Sequence, residues 1–436
     1  MITADEFTQR RRHVLSEIGH AVAIVPAAPV AIRNNDVEHE YRQESDLYYL
    51  TGFDEPESLL LLTNCHAEHH SVMFVRPRDP ERETWDGPRA GIDGARERYG
   101  ADAAFPIAEL EAKLPEYLED VERLHFRFGM NRRFDDVVFG AIQKLRGKVR
   151  MGKLAPRELV DLGRLLHGMR LTKSSGEIAT MEQAVAISRE AHAHAMQVAR
   201  PGAHEYEVEA EMLRVFRQRG AERPAYGSIV ASGPNATVLH YRKNDRQMQD
   251  GDLLLIDAGA EYGYYASDVT RTFPVGGRFS EAQRAVYDVV LAAQHAAIAT
   301  VKPGVPYMAV HDKAVEVLTQ GMIDLGLIQG PLDVALKEER YKPYYMHRTS
   351  HWLGMDVHDV GDYFVDGKPR ALEPGIVLTV EPGLYVKVDA ACDAKWRGIG
   401  VRIEDDVLVT DTGSRVLTEG IPKDAAELER ILRARA

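Results

Sequence analysis

Four carboxylates set into otherwise apolar strand patterns constrain this chain more than any other feature. Residues 252–273, DLLLIDAGAEYGYYASDVTRTF, read as two strands around a turn at Tyr262 and Gly263, glycine being the residue that tolerates positive φ. If those two residues form the loop, 261 faces 264 and Asp257 lies opposite Asp268. Directly opposed β-carbons sit about 5 Å apart, and like charges there destabilise the pair unless a cation lies between them. A divalent metal resolves the conflict; a slipped register or two solvated edge acids would also do so. Glu381 ends the apolar run in LTVEPGLYV, and Glu404 interrupts GIGVRIEDDVLVT. Burying an unpaired carboxylate is costly, so each needs a cation, a proton or a polar cleft. Arg402, two positions before Glu404 on the same side of the strand, can pair with one acid.

A nitrogen donor is close at hand in YYMHRTSHWLGMDVHDVGDYF, which carries His347, His351 and His358 within a short span. Asp257, Asp268, Glu381 and Glu404 bring four negative charges, which two divalent ions balance, with His351 as a neutral ligand. Such a hard, oxygen-rich set without thiolate favours manganese or cobalt, with zinc possible. Metals sharing a water would lower its pKa and make hydroxide available near neutral pH.

Other function classes find little support. Lys plus Arg number 54 and Asp plus Glu 67, a net charge of −13 that leaves no basic footprint for nucleic acid and favours cationic ligands. Cys65 and Cys392 are far apart and outside any CxxC spacing, so no disulfide framework or zinc-thiolate site is expected, and a reducing compartment is the simplest reading. The first residues mix acidic and basic side chains without an apolar core, and the apolar stretches at 21–32 and 59–62 are too short or proline-broken to cross a bilayer. A cytoplasmic protein without a membrane partner is the expectation. The sequence contains no GxxxxGK[ST], HExxH or GxSxG, and the glycines of Gly398-Ile399-Gly400 run into an alternating strand rather than a phosphate-binding helix. His66, His69, His70, His192 and His194 read as solvated or satisfied structural histidines.

Along the chain, a helix over 5–18 precedes short strands in AVAIVP, DLYYLTGF, the leucine run at 58–63 and HHSVMFVRP, an α/β region. PRELVDLGRLLHGMRLTK reads as one long helix, and Ser174 with Glu177 as the start of the next, placing a domain boundary near 172. Beyond it, helices over 175–200 and 205–220, strands around 228–274, helices near 280–325 and strands from 376 to 410 are segregated in blocks. That pattern predicts an α+β domain with largely antiparallel sheet.

With these residues in view, the chain resembles the aminopeptidase P family of pita-bread metallopeptidases, bacterial cytosolic type. The resemblance rests on YRQESDLYYLTGFDEP, MRLTKSSGEI, IDAGAEYGYYASDVTRTFPVGG, HWLGMDVHDVG, LTVEPGLY and RIEDD, in order along the chain. It implies a smaller N-terminal domain, 1–172, involved in oligomerisation and the substrate channel, and a pita-bread catalytic domain, 173–436. It implies that Asp257, Asp268 and Glu404 bind one metal and Asp268, His351, Glu381 and Glu404 the other. It further implies that His240 and His358 line the scissile peptide, that Glu381 shuttles the proton, and that His347 and Arg402 shape the proline pocket. Trp85 matches a tryptophan lent by a neighbouring subunit, so a homo-oligomer, dimer or tetramer, is implied.

The activity so implied is removal of an N-terminal residue preceding proline from peptides. An Xaa-Pro bond lacks an N–H and needs a dedicated ring pocket. An Xaa-Pro dipeptidase shares the same ligands, and a non-catalytic binding module or a metal-free amidinohydrolase of the same fold would have no use for all five. Two further points concern the substrate path: Lys368 and Arg370 fall where the family carries basic residues, and Arg348 follows His347 where a smaller stretch is usual, on the access path.

Overall fold

The computed structural model describes residues 2–434. The chain divides into two compact units, Ile2–His167 and Gly168 onward.

In the first unit a six-stranded mixed sheet has Ala21–Pro26 near its middle, antiparallel to Leu59–Thr63 and parallel to Arg123–Phe126. Every residue of Leu59–Thr63 and of Ser71–Val75 is buried. Both faces of the sheet are covered, which explains why these strands are continuous apolar runs and not alternating ones. The segment DLYYLTG, expected as a strand from its aromatic content, is instead the helix Ser45–Thr51. Local capping overrides propensity here: the Glu44 carboxylate accepts from Leu47 N at 3.0 Å, and Gly52, at φ 68°, closes the helix by donating to Tyr48 O.

The stretch expected as one long helix before the second unit is the strand Glu158–Val160 followed by the helix Gly163–Leu171. Glu158–Val160 pairs in parallel with Arg123–Phe126, a long-range partner that local periodicity does not reveal. The next helix, Ser175–Val198, begins as expected with a full capping box between Ser174 and Glu177.

The second unit is α+β. The helices Ser175–Val198, Glu205–Gln218, Glu281–Thr300 and Tyr307–Asp324 accompany small antiparallel sheets. Leu253–Asp257 lies between Ile229–Ser232 and Thr270–Pro274; Val377–Val380 pairs with Asp405–Val409, and Gly383–Val386 with Ile399–Arg402. The main core beneath them draws Met212, Phe216, Ile256, Phe273, Tyr287, Leu384 and Val401 together.

The central hairpin turns one residue later than expected. Tyr262 faces Tyr265, and the loop residues Gly263 and Tyr264 both have positive φ, 56° and 68°. That is the backbone form which matches strand twist in two-residue loops, and Tyr264 adopts it without being glycine. The register therefore sets Asp257 opposite Thr270 and not Asp268. Asp268 is two positions from Thr270, so it keeps the same face and becomes a diagonal neighbour of Asp257; a slip of one would have sent it to the other side. Bonds from Ala258 N to Val269 O and from Ser267 N to Ala260 O, each 3.1 Å, continue this register and place Gly259 across from Asp268. A β-carbon at Gly259 would collide with the Ser267 carbonyl, so only glycine fits there.

Candidate metal centre

The acids sit where strands end. Asp257 closes Leu253–Asp257, Asp268 precedes Thr270–Pro274, Glu381 follows Val377–Val380, and Glu404 separates Ile399–Arg402 from Asp405–Val409. Backbone bonds fix two of the acids and His351: Glu381 N donates to Thr349 O at 2.8 Å, Glu404 N to Thr270 O at 3.1 Å, and Thr379 N to His351 O at 3.0 Å. All four face one cleft of about 700 Å³, whose lining also includes His240, His347, His351, His358 and Arg402. The nine site residues expected in this unit are thus brought together.

Distances within the cluster are short. His351 Nε2 lies 3.3 Å from Asp268 Oδ2 and 3.8 Å from Glu381 Oε1. Ligand-type atoms of Asp268, His351 and Glu404 all fall within 4.8 Å of one another. His351 Nδ1 faces the Trp352 carbonyl at 3.0 Å, an acceptor only, so this nitrogen carries a proton, and Nε2 is the ring atom directed at the acids, the one that would offer its lone pair to a cation once deprotonated.

The electrostatics favour a cation. Burial and the neighbouring acids together push the carboxyls of Asp268 and Glu404 up, Glu404 well above its ordinary range, and bring Glu381 to about 7. Burial acts to lower His351, but the hydrogen bond to Asp268 and the charges of Asp268 and Glu381 outweigh it and raise the imidazole to about 9. These three acids cannot all ionise cheaply unless positive charge sits among them. The residues therefore fit divalent cations, which would take the place of the protons.

Around the cluster lies a polar frame that the sequence did not reveal. The Tyr226 hydroxyl sits between Asp257 Oδ1, at 2.6 Å, and the Asp268 carboxylate. The Thr270 hydroxyl donates to Glu404 Oε2 at 2.6 Å. Arg402 Nη2 donates to Asp257 Oδ2 at 2.6 Å and its Nη1 to the Tyr385 hydroxyl at 3.1 Å, so the expected pairing of Arg402 with one acid is present. Tyr226 lies outside the quoted motifs, and Tyr385, although it ends the block LTVEPGLY, reads as an ordinary strand tyrosine, which is why sequence reasoning passed over both.

His347 reaches the same tyrosine, with Nε2 2.8 Å from the Tyr385 hydroxyl, while its Nδ1 donates to Arg348 O at 2.8 Å. Burial, then the charge of Arg402, lowers its pKa to about 3, so it remains neutral. The His358 ring stands edge-on to that of His351, centroids 4.4 Å apart, and burial followed by the His351 charge lowers it as well. His240 is exposed on the cleft wall.

Beneath the cleft, Asp359 is held by Arg170 at 2.6 Å and Lys173 at 2.9 Å, all three almost fully buried. Asp405 receives Arg271 at 2.7 Å, Thr418 at 2.7 Å and Gln294 at 2.6 Å. Lys368 and Arg370 are not among the cleft residues; Arg370 is tied to Asp362 O at 2.7 Å and to Glu373 at 3.4 Å. Trp85 belongs to the first unit, on the helix Pro80–Asp86, where it is 83% exposed. The histidines expected to be structural find local partners: His192 faces the Ala258 carbonyl at 3.0 Å, and His69 the Tyr117 hydroxyl at 3.0 Å. No described helix is long and apolar enough to cross a membrane.

Comparison with known proteins agrees with this geometry. The model of metallopeptidase family M24 matches residues 179–411, and that of the aminopeptidase P N-terminal domain matches 7–125. The chain is 42% identical over 433 residues to the Xaa-Pro aminopeptidase of Escherichia coli (strain K12), covering 99% of this chain and 98% of that one. Its fold matches a Pseudomonas aeruginosa aminopeptidase at a TM-score of 0.98 with 51% identity, covering 100% of this chain and 99% of the other. An Escherichia coli aminopeptidase P variant in complex with substrate matches at 0.97 with 42% identity, covering 100% and 99%. The α+β unit that carries four acids and His351 around one cleft, together with the mixed-sheet unit before it, shows that this chain belongs to metallopeptidase family M24, with the aminopeptidase P type of N-terminal domain.

Proposed function

We propose that the protein is an Xaa-Pro aminopeptidase that uses two divalent cations, manganese in the working enzyme, held by Asp257, Asp268, His351, Glu381 and Glu404. The observation that carries this reading is the convergence of these five side chains with His240, His347, His358 and Arg402 on one cleft. When bound, such cations would polarise the scissile carbonyl and acidify water.

The chain's own residues supply the rest. His347 and Arg402, joined through the hydroxyl of the buried Tyr385, form a wall on which the proline ring packs, and the low pKa of His347 keeps that wall uncharged apart from the guanidinium, which is paired with Asp257. His240 and His358 donate to the carbonyl oxygen as it gains negative charge. Glu381 takes a proton from the attacking water and delivers it to the prolyl nitrogen, which has no N–H of its own and must gain one as the C–N bond breaks. The chain's net charge of −13 favours approach of the peptide's cationic amino terminus. The first unit, with its exposed Trp85, serves assembly into a homo-oligomer whose neighbour lends that tryptophan to the channel, and the cytoplasm is the working compartment.

Mass-spectrometric product analysis of manganese-reconstituted protein tests this. Release of the first residue from an Xaa-Pro-Xaa-Xaa tetrapeptide is the expected result. Cleavage confined to Xaa-Pro dipeptides would reassign the chain as a dipeptidase, and activity that survives complete chelation would remove the metal from the reaction.

A further inference from the structure

The cleft carries three arginines besides its acids, and their circumstances differ. Arg402 is buried and committed to Asp257. Arg242 and Arg348 line the cleft, are exposed, and have no carboxylate of a described residue within ion-pair distance. Arg348 is the better placed of the two. Its backbone carbonyl receives the Nδ1 proton of His347 at 2.8 Å, which ties it to the wall where the proline ring packs. Its guanidinium rests on Met308 Sδ at 3.8 Å. The Asp312 carboxyl feels its charge, yet no ion pair joins them. A cleft with an unpaired guanidinium beside the ring-binding wall is complementary to a peptide that carries an anion just past its proline.

We propose that Arg348 is a specificity-determining residue that binds a carboxylate carried by the residue after proline, either a chain terminus or an acidic side chain. This rests on the aminopeptidase reading above. A guanidinium in a partly exposed cleft gives a modest charge-assisted bond, so the expected preference is about three- to tenfold, expressed mainly in KM.

Two peptide pairs separate the sources: Ala-Pro-Ala as free acid and as amide, and Ala-Pro-Glu-Ala against Ala-Pro-Gln-Ala, both amidated. With the metal-loaded enzyme, kcat/KM should favour the carboxylate member of at least one pair, and the pair that discriminates identifies the source. R348A should bring that ratio close to unity and R348E should invert it, while R242A keeps it. A wild-type ratio near unity in both pairs, a ratio that survives R348A, or one lost in R242A instead would overturn the assignment to Arg348 while leaving the activity reading intact. Failure to cleave any of the four peptides would overturn the aminopeptidase reading and the carboxylate subsite with it.

Discussion

Arg402 Nη2 donates to Asp257 Oδ2 at 2.6 Å, the guanidinium 4% and the carboxylate 14% exposed. One planar group thereby joins an acid of the cluster to Tyr385, and through it to His347. The compact ammonium of lysine cannot span these partners. Arg402→Lys is expected to lower kcat/KM for Xaa-Pro peptides by about tenfold or more and to cost about 2 kcal/mol of stability in urea melts, because Asp257 or Tyr385 is left without its donor.

Asp268 stands between the Tyr226 hydroxyl and His351 at the centre of the cluster. Asp268→Ala should abolish most turnover and reduce the metal content measured by elemental analysis. Full metal occupancy in this variant would disprove its proposed role as the shared ligand.

His358 borders His351 but is not one of the five proposed ligands, so its loss should separate binding from chemistry. His358→Ala is expected to keep its metal and lose about a hundred- to a thousandfold in kcat, the usual cost of one donor to a developing oxyanion. Loss of metal together with activity would assign it a structural role.

His192 offers a pH test on a residue that does not line the cleft. It is fully buried and its pKa is lowered to about 4, burial being the main cause. Its folded pKa lies below the unfolded value, so between about pH 6.5 and 4 the unfolded chain binds more protons and stability falls as the pH drops through that window. The full shift corresponds to about 3 kcal/mol. His192→Gln can retain a donor to the Ala258 carbonyl, and its urea midpoint should fall less steeply with acidification than that of the wild type.

Gly259 lies across the hairpin from Asp268 with its α-carbon against the Ser267 carbonyl. Gly259→Ala must push the two strands apart. Melting temperature and metal content should fall together, whereas a loss of stability with metal retained would show that the hairpin absorbs the displacement without moving Asp268.

The sequence discloses the site more fully than its scaffold. Asp257, Asp268, Glu381 and Glu404 are legible because each breaks an apolar run, and a buried carboxylate must be neutralised wherever it falls. The hairpin register was misplaced by two positions, yet a period of two kept Asp257 and Asp268 on one face. Tyr226 and Tyr385 escaped notice because a tyrosine in an apolar context reads as packing, and only coordinates show where its hydroxyl goes. Ser45–Thr51 and Glu158–Val160 were misread for the same underlying reason. A cap from Glu44 and a distant parallel neighbour at Arg123–Phe126 decided them against local pattern.

The consecutive acids Glu404, Asp405 and Asp406 have three unrelated destinations: Glu404 in the cleft, Asp405 on Arg271, and Asp406 accepting from Asp268 N at 3.1 Å. Three similar letters are therefore not interchangeable. Inserting or deleting a single residue here would deliver the wrong carboxylate to each destination while barely altering composition or hydropathy. Drift in length should accordingly be tolerated far better in the loops flanking this strand than within it.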